Sequence, residues 1–216
     1  AAALGISMIV DLIAYYKGMQ QTDLIGKLGI LVFIIVLGYE SISEAFEKIK
    51  EGQKADFYKE MAVTDTMTGV YNRSAFQEWE HENSDYEGYS IATFDLNNLK
   101  WCNDNLGHAA GDAYIQASAR IIKEIFGRHG KCYRIGGDEF CTVINQKSKK
   151  FDNARHVKQL RELEKYAEKE LGIKGLNVQI ACGYAEYDIK TDKNFEDTRS
   201  RADKKMYESK RRLKRE

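Results

Sequence analysis

The stretch KCYRIGGDEFCTVIN, Lys131 to Asn145, decides how the rest of the chain is read. Lys131 to Ile135 and Phe140 to Asn145 are rich in aromatic and β-branched residues, as strands are, and Gly136-Gly137 between them reads as the positive-φ corner of a tight hairpin. Asp138 and Glu139 stand at that corner. Working outward, Tyr89 to Leu96 (YSIATFDL) reads as a buried strand that ends on an acid, Asp95, and Leu176 to Tyr187 as a further strand. Helical periodicity predicts Asn72 to Glu82, Asp112 to Phe126, the charged run Ala154 to Leu171 and the basic run Thr198 to Lys214. Strands alternating with helices around one hairpin predict an α/β sandwich, with helices packed over a mixed sheet.

The chain's 216 residues fit one domain plus an appendage and exclude a large multidomain enzyme. With 33 Lys+Arg against 33 Asp+Glu, wholesale polyanion binding is excluded and DNA binding is not expected. Proline is absent, so proline-rich linkers are excluded too. Cys102, Cys132, Cys141 and Cys182 form no C-x-x-C pair, which fits neither a zinc site nor a secreted disulfide framework. They read as small buried hydrophobes in a reducing compartment.

Hydrophobicity is concentrated at the start. Ala1 to Val10 and Leu28 to Tyr39 carry no charge, and residues 1–42 are read as two membrane helices, with a buried helical hairpin as the alternative. Tyr15, Tyr16 and Tyr39 suit the membrane interface, and Lys48, Lys50, Lys54 and Lys59 follow the second run. That order places the segment in the inner (plasma) membrane, with the remainder on the cytoplasmic side. The start AAALG lacks the basic region of a signal peptide and reads as the tail of a longer membrane segment. Residues 43–62 are expected to form a signalling helix, since Ile42, Phe46, Ile49, Phe57 and Met61 make an apolar stripe. The stripe suits either a parallel two-helix coil or a lone amphipathic helix.

Asp95 at a strand end and Asp138 with Glu139 in the hairpin would repel one another if a sheet brought them together. A hard cation such as Mg²⁺ would neutralise them. Singly, each has a simpler account as a turn residue or a solvated acid. After Asp95 comes NNLKWCNDNLGHAAGD, Asn97 to Asp112, in which Lys100, Asn103, His108 and Asp112 could cup a nucleotide. A carboxylate accepts two parallel hydrogen bonds from the N1 and N2 edge of guanine, a paired donor edge that adenine lacks. Asp112 as a plain helix N-cap is the alternative.

Together these motifs resemble the GGDEF family of diguanylate cyclases. The resemblance runs from Val63 to about Lys214 and rests on TDTMTGVYNR (Thr64 to Arg73), the stretch from Phe94 to Asp112, the hairpin with Arg134, and the ADKKMYESK run near the end. It implies a polymerase-palm-like fold, the nucleotidyl-cyclase-like mixed sheet flanked by helices, that condenses two GTP into cyclic di-GMP and two pyrophosphates. It further implies a homodimer with one GTP per subunit. Two Mg²⁺ (or Mn²⁺) ions per active site are implied, with Asp95, the Leu96 carbonyl, Asp138 and Glu139 as ligands and Asp138 as the alternative proton acceptor. The same resemblance makes Asn103 and Asp112 guanine readers, and Lys100, Lys210 and Lys214 phosphate contacts. His108 lies beside the guanine readers, and Gly136 and Gly137 let phosphate approach the backbone. A catalytically silent module that binds GTP or cyclic di-GMP is the rival reading. Asn97 stands where many members carry a second acid, and Leu213-Lys214 replaces a frequent Gly-Arg. Gly127 and Gly130 occupy the two positions of the family's R-x-x-D feedback site, so product feedback is expected to be absent.

Overall fold

The computed structural model describes residues 9–10, 12–13, 15–17, 23–147, 151–174, 176 and 178–215. The chain divides into two units, Ala1–Lys59 and Glu60–Glu216. Most of the first hydrophobic run, and with it the first of the two expected membrane helices, lies outside the described residues. The second run belongs to a continuous 41-residue helix, α1 (Asp23–Val63), which also takes in the expected signalling segment. Within it Leu28–Lys54 is long and apolar enough, at a mean hydropathy of 1.8, to cross a membrane by length and composition. Ile30, Ile34, Leu37, Ile42, Phe46 and Ile49 are all exposed along this helix.

The second unit is built from α2 (Arg73–Glu82), β1 (Tyr89–Leu96), α3 (Leu99–Leu106), α4 (His108–Phe126), β2 (Gly130–Arg134), β3 (Glu139–Asn145), α5 (Asn153–Leu171), β4 (Ile180–Glu186) and α6 (Phe195–Leu213). The strands form one sheet in the order β2-β3-β1-β4. Every pair of these strands is antiparallel, and the parallel contact is the isolated bridge between Tyr71 and Tyr133. Strand β1 alternates between two cores. Ala92, Phe94 and Leu96 face a cluster that includes Tyr114, Ile122, Phe126 and Leu160, from α4 and α5. Ile91 faces the other, with Phe76, Phe195 and Ala202, from α2 and α6. Period-two alternation therefore covers both faces of the sheet with helices.

Several element boundaries differ from the sequence reading for local reasons. Helix α4 begins at His108, with Gly107 (φ 86°) at its N-cap, so Asp112 lies inside the helix and is not its cap. Strand β4 begins four residues later than expected. The Val178 amide donates to Glu168 Oε1 and the Gln179 amide to the Tyr114 hydroxyl, so these residues satisfy their backbone outside the ladder. Helix α6 begins earlier, at Phe195, because the Asn194 side chain accepts from the Asp197 amide and caps it. Gly136 and Gly137 do not supply positive φ angles. Among the described residues these belong to Asn98, Gly69, Gly88, Gly107 and Gly172.

The loop that launches α6 is held by Asp192. Its side chain accepts from Arg201 Nε at 3.0 Å, from Arg201 Nη2, from Thr198 Oγ1 at 2.8 Å and from the Asp188 amide at 3.0 Å. Burial pushes this carboxyl up, but the bonds from Arg201, Asp188 and Thr198 outweigh burial and hold it at about 2. Because the folded value lies below the unfolded value of about 4, the stabilisation is complete above that pH and is lost as pH falls toward 2. It amounts to roughly 2 kcal/mol. Urea unfolding between pH 5 and pH 2 is expected to show Asp192→Asn losing less stability on acidification than the parent chain, by about that amount.

Candidate active site

The register of the sheet brings the acids together. Asp95, at the end of β1, is the direct cross-strand partner of Glu139, the first residue of β3. Directly opposed residues project to the same face of an antiparallel pair, with Cβ atoms about 5 Å apart. The Leu96 amide donates to the Asp138 carbonyl at 3.0 Å, which extends the pairing into the turn. Glu139 is exposed, and its carboxylate folds back over Gly136, where a Cβ would lie 2.8 Å from Oε2. Asp95 is 6 % exposed. Burial pushes its carboxyl above the usual range, Lys210 pulls it down, Asp138 pushes it up again and Lys214 pulls it down. Asp138, Lys210 and Lys214 thus all lie within electrostatic reach of Asp95.

Helix α6 delivers the lysines. Ala202, Met206, Lys210 and Lys214 recur every four residues and share one helix face. At Gly183 on β4 a Cβ would sit 2.1 Å from the Ala202 carbonyl oxygen and 2.3 Å from the Met206 amide nitrogen, so α6 rests directly on the strand backbone. One turn beyond Met206, Lys210 Nζ reaches Asp95, 2.5 Å from Oδ1 and 2.7 Å from Oδ2.

The hairpin corner is braced from outside. Arg134 donates to the Gly136 carbonyl (3.2 Å), the Gly137 carbonyl (2.8 Å) and the Asp65 carboxylate (3.2 and 3.3 Å). Burial pushes the Asp65 carboxyl up, and bonds from Thr68 and the Arg134 charge more than reverse it, leaving it below its ordinary value. Carbonyl capture by Arg134 therefore replaces the positive-φ glycine geometry expected at this corner. Around Gly137 nothing lies within 4 Å of an added Cβ, so its backbone is open to approach.

On the other side of Asp95, the loop leading into α3 is pinned from below. The buried Tyr114 hydroxyl lies 2.9 Å from the carbonyls of Asn97 and Gln179, and it accepts from the Gln179 amide. Asn98 then adopts φ 62°, a left-handed conformation that asparagine tolerates better than most side chains. Asn103 on α3 lies half-buried against α4, its Oδ1 only 1.8 Å from where a Gly111 Cβ would be. The missing side chain at Gly111 thus leaves room for Asn103 against α4, one residue before Asp112. Asp112, Lys100 and His108 are exposed around this junction.

The three acids do not form a closed cage. Among the described residues no group of three or more His, Cys, Asp and Glu side chains converges as a metal-binding cluster. Lys210 neutralises Asp95, while Glu139 turns over Gly136. The residues nonetheless suit Mg²⁺. Asp95 Oδ1 is buried and has no partner in hydrogen-bond geometry despite the nearby ammonium. Mg²⁺ commonly takes one or two carboxylates and completes its shell with substrate phosphates and water.

A family described as diguanylate cyclase, GGDEF domain, matches residues 62–216. The chain belongs to this family. Diguanylate cyclase A of Treponema denticola is 32% identical to the GGDEF-containing chain over 163 residues, 70% of this chain and 42% of that protein. Diguanylate cyclase DgcN of Escherichia coli (strain K12) is 40% identical over 87 residues, 38% of this chain and 21% of that protein. Cyclic di-GMP phosphodiesterase PdeB of Shewanella oneidensis is 35% identical over 128 residues, 57% of this chain and 15% of that protein. The chain thus spans less than half the length of each of these relatives. The coiled coil and GGDEF domain of DgcB from Caulobacter crescentus, solved with c-di-GMP, superposes with a TM-score of 0.64 at 22% identity, covering 81% of this chain and 94% of that one. Diguanylate cyclase SiaD, solved with its activator SiaC from Pseudomonas aeruginosa, gives 0.61 at 23% identity, covering 97% and 82%. At these identities the likeness is one of fold.

Three residues that place the GGDEF site carried no role in the sequence reading. Gly183 lacks a local signal, since a glycine in a strand shows its purpose only when the helix above it is known. Tyr114 reads as one more core aromatic. Asp65 lies within the opening motif, but its partner Arg134 is 69 residues away.

Proposed function

We propose that this GGDEF domain is a diguanylate cyclase, joining two GTP molecules into cyclic di-GMP with release of two pyrophosphates. The observation that carries the reading is Asp95 paired in register with Glu139, with Lys210 held on Asp95 and Lys214 one turn further along the same face. Asp95, Glu139 and the Leu96 carbonyl would hold Mg²⁺ or Mn²⁺, two ions per site. Such ions, when bound, stabilise the attacking and leaving oxygens of an in-line displacement at phosphorus. Asn103, packed against Gly111, and Asp112, the residue that follows it, read the guanine edge, and Lys100, Lys210 and Lys214 neutralise the triphosphate. Asp138 takes the proton of the 3′-hydroxyl as its oxygen forms a bond to the α-phosphorus of the second GTP. The bond from that phosphorus to the bridging oxygen breaks, and pyrophosphate leaves; the same exchange repeated closes the ring.

Each domain carries one such site, so two copies must face each other, each offering its 3′-hydroxyl to the other's nucleotide. Helix α1 supplies the means: its uncharged run Leu28 to Tyr39 anchors the chain in a membrane, and the exposed Ile42, Phe46 and Ile49 that follow it pair two copies. Product feedback at the family's usual site is absent. A Cβ at Gly130 would stand 1.8 Å from the Val143 carbonyl oxygen and one at Gly127 2.4 Å from that of Lys123, so an Arg or Asp at either position would require the backbone to shift, which supports this reading.

The rival reading, a silent module in a larger signalling protein, draws on the similarity to a phosphodiesterase. Incubating the chain with GTP and Mg²⁺ and resolving the products separates the two. A cyclase gives cyclic di-GMP and pyrophosphate in a 1:2 ratio, at a rate per subunit that falls on dilution below the dimer's dissociation constant. Unchanged GTP in a sample shown to be dimeric supports the module. A rate per subunit that stays constant on dilution contradicts the paired arrangement.

A further inference from the structure

Asp95 already has a cation, and it is covalently part of the chain. The Lys210 ammonium touches both carboxylate oxygens, and its side chain is 25% exposed against 9% for that of Asp95. Its position is set by the backbone, because the contact of α6 with Gly183 fixes both the height and the rotation of the helix that carries it. A divalent ion on Asp95 would need the oxygens that Nζ now occupies, at about 2 Å from the ion. It would then stand next to an ammonium, where like charges in a partly buried site repel strongly.

We propose that Lys210 is a placeholder: in the nucleotide-free protein it occupies the cation seat on Asp95, and it leaves that seat for the phosphates when a nucleoside triphosphate binds. This rests on the reading of Asp95 as a cation-holding residue. The triphosphate offers Lys210 a partner of higher charge than one carboxylate, and its departure uncovers Asp95 for the divalent ion. Ion and nucleotide therefore enter as a pair, and each raises the affinity for the other by the same factor. Once pyrophosphate leaves, the ammonium returns to Asp95 and resets the site without a stranded ion. The exposed Lys214, one turn further on, does not compete for the seat, since it acts on Asp95 only through its charge.

Mn²⁺ binding to the full chain, followed by the electron paramagnetic resonance signal of the free ion, tests this without turnover. Without nucleotide, Lys210→Met is expected to bind Mn²⁺ about tenfold more tightly than the parent chain, the effect of removing one close like charge. Lys210→Gln, which keeps a donor to Asp95 but no charge, is expected to do the same and serves if the Met variant folds poorly. A non-hydrolysable GTP analogue should raise Mn²⁺ affinity in the parent chain and raise it less in either variant. Asp95→Asn is the reference. If it removes Mn²⁺ binding while both Lys210 variants bind the ion no more tightly than the parent, the placeholder is overturned and the cation site stands. If Asp95→Asn leaves Mn²⁺ binding unchanged, the cation-holding role of Asp95 falls, and the placeholder with it.

Discussion

Asp95→Asn is expected to lower cyclic di-GMP formation on the order of 10³-fold while leaving the domain folded, because it removes charge from the site without changing its shape. The side chain is 9% exposed, and burial pushes its carboxyl above the usual range. Exchanging it for a neutral amide therefore relieves a desolvation cost as it breaks the pair with Lys210, and stability should change by no more than about 1 kcal/mol. Lys210 is exposed enough to turn to water. The check is an initial rate at saturating GTP and Mg²⁺ beside a thermal midpoint. Activity within tenfold of the parent would show that the ions are held elsewhere.

Gly183→Val is expected to be the most damaging single change to stability, costing about 3 kcal/mol or more. The Cβ alone meets two backbone atoms of α6, at 2.1 and 2.3 Å, and no rotamer change relieves a clash between backbones. The helix must lift from β4, which opens the core around Ala202 and Phe195 and draws Lys210 away from Asp95. A urea midpoint measures the loss. Gly137→Ala is the matched control: its Cβ meets nothing within 4 Å and its φ is not positive, so its midpoint should stay within about 0.5 kcal/mol of the parent. Equal midpoints for Gly183→Val and Gly137→Ala would show that α6 tolerates displacement and that its height does not place the lysine.

Much of the fold was legible because the signals are local and periodic. YSIATFDL announced β1 over the residues it occupies, Tyr89–Leu96, and the aromatic and β-branched runs around Gly136-Gly137 announced the hairpin to within one residue at either end. What escaped the sequence is what depends on distant partners. The start of β4 is set by Glu168 and Tyr114 taking up amides that would otherwise join the ladder, and neither residue adjoins that strand in sequence. The corner at Gly136-Gly137 holds its shape through Arg134, although glycine composition alone argues for left-handed φ angles. In the candidate site, the sequence put Asp95 at a strand end and Asp138 with Glu139 in a hairpin turn, whereas the register makes Glu139 the first residue of β3 and the direct partner of Asp95. Spacing could not show that a lysine 115 residues further on sits upon Asp95, nor that Gly183 sets the helix which carries it.

The account stands on divalent ions being held between the end of β1 and the hairpin, against a nucleotide triphosphate. Anomalous scattering from Mn²⁺ in crystals of the chain grown with a non-hydrolysable GTP analogue tests this most directly. The predicted result is Mn²⁺ about 2 Å from carboxylate oxygens of Asp95 and Glu139, with Lys210 Nζ moved from Asp95 onto the phosphates. Analogue bound with Mn²⁺ absent from Asp95 and Glu139, or Lys210 still paired with Asp95 beside it, would contradict the account.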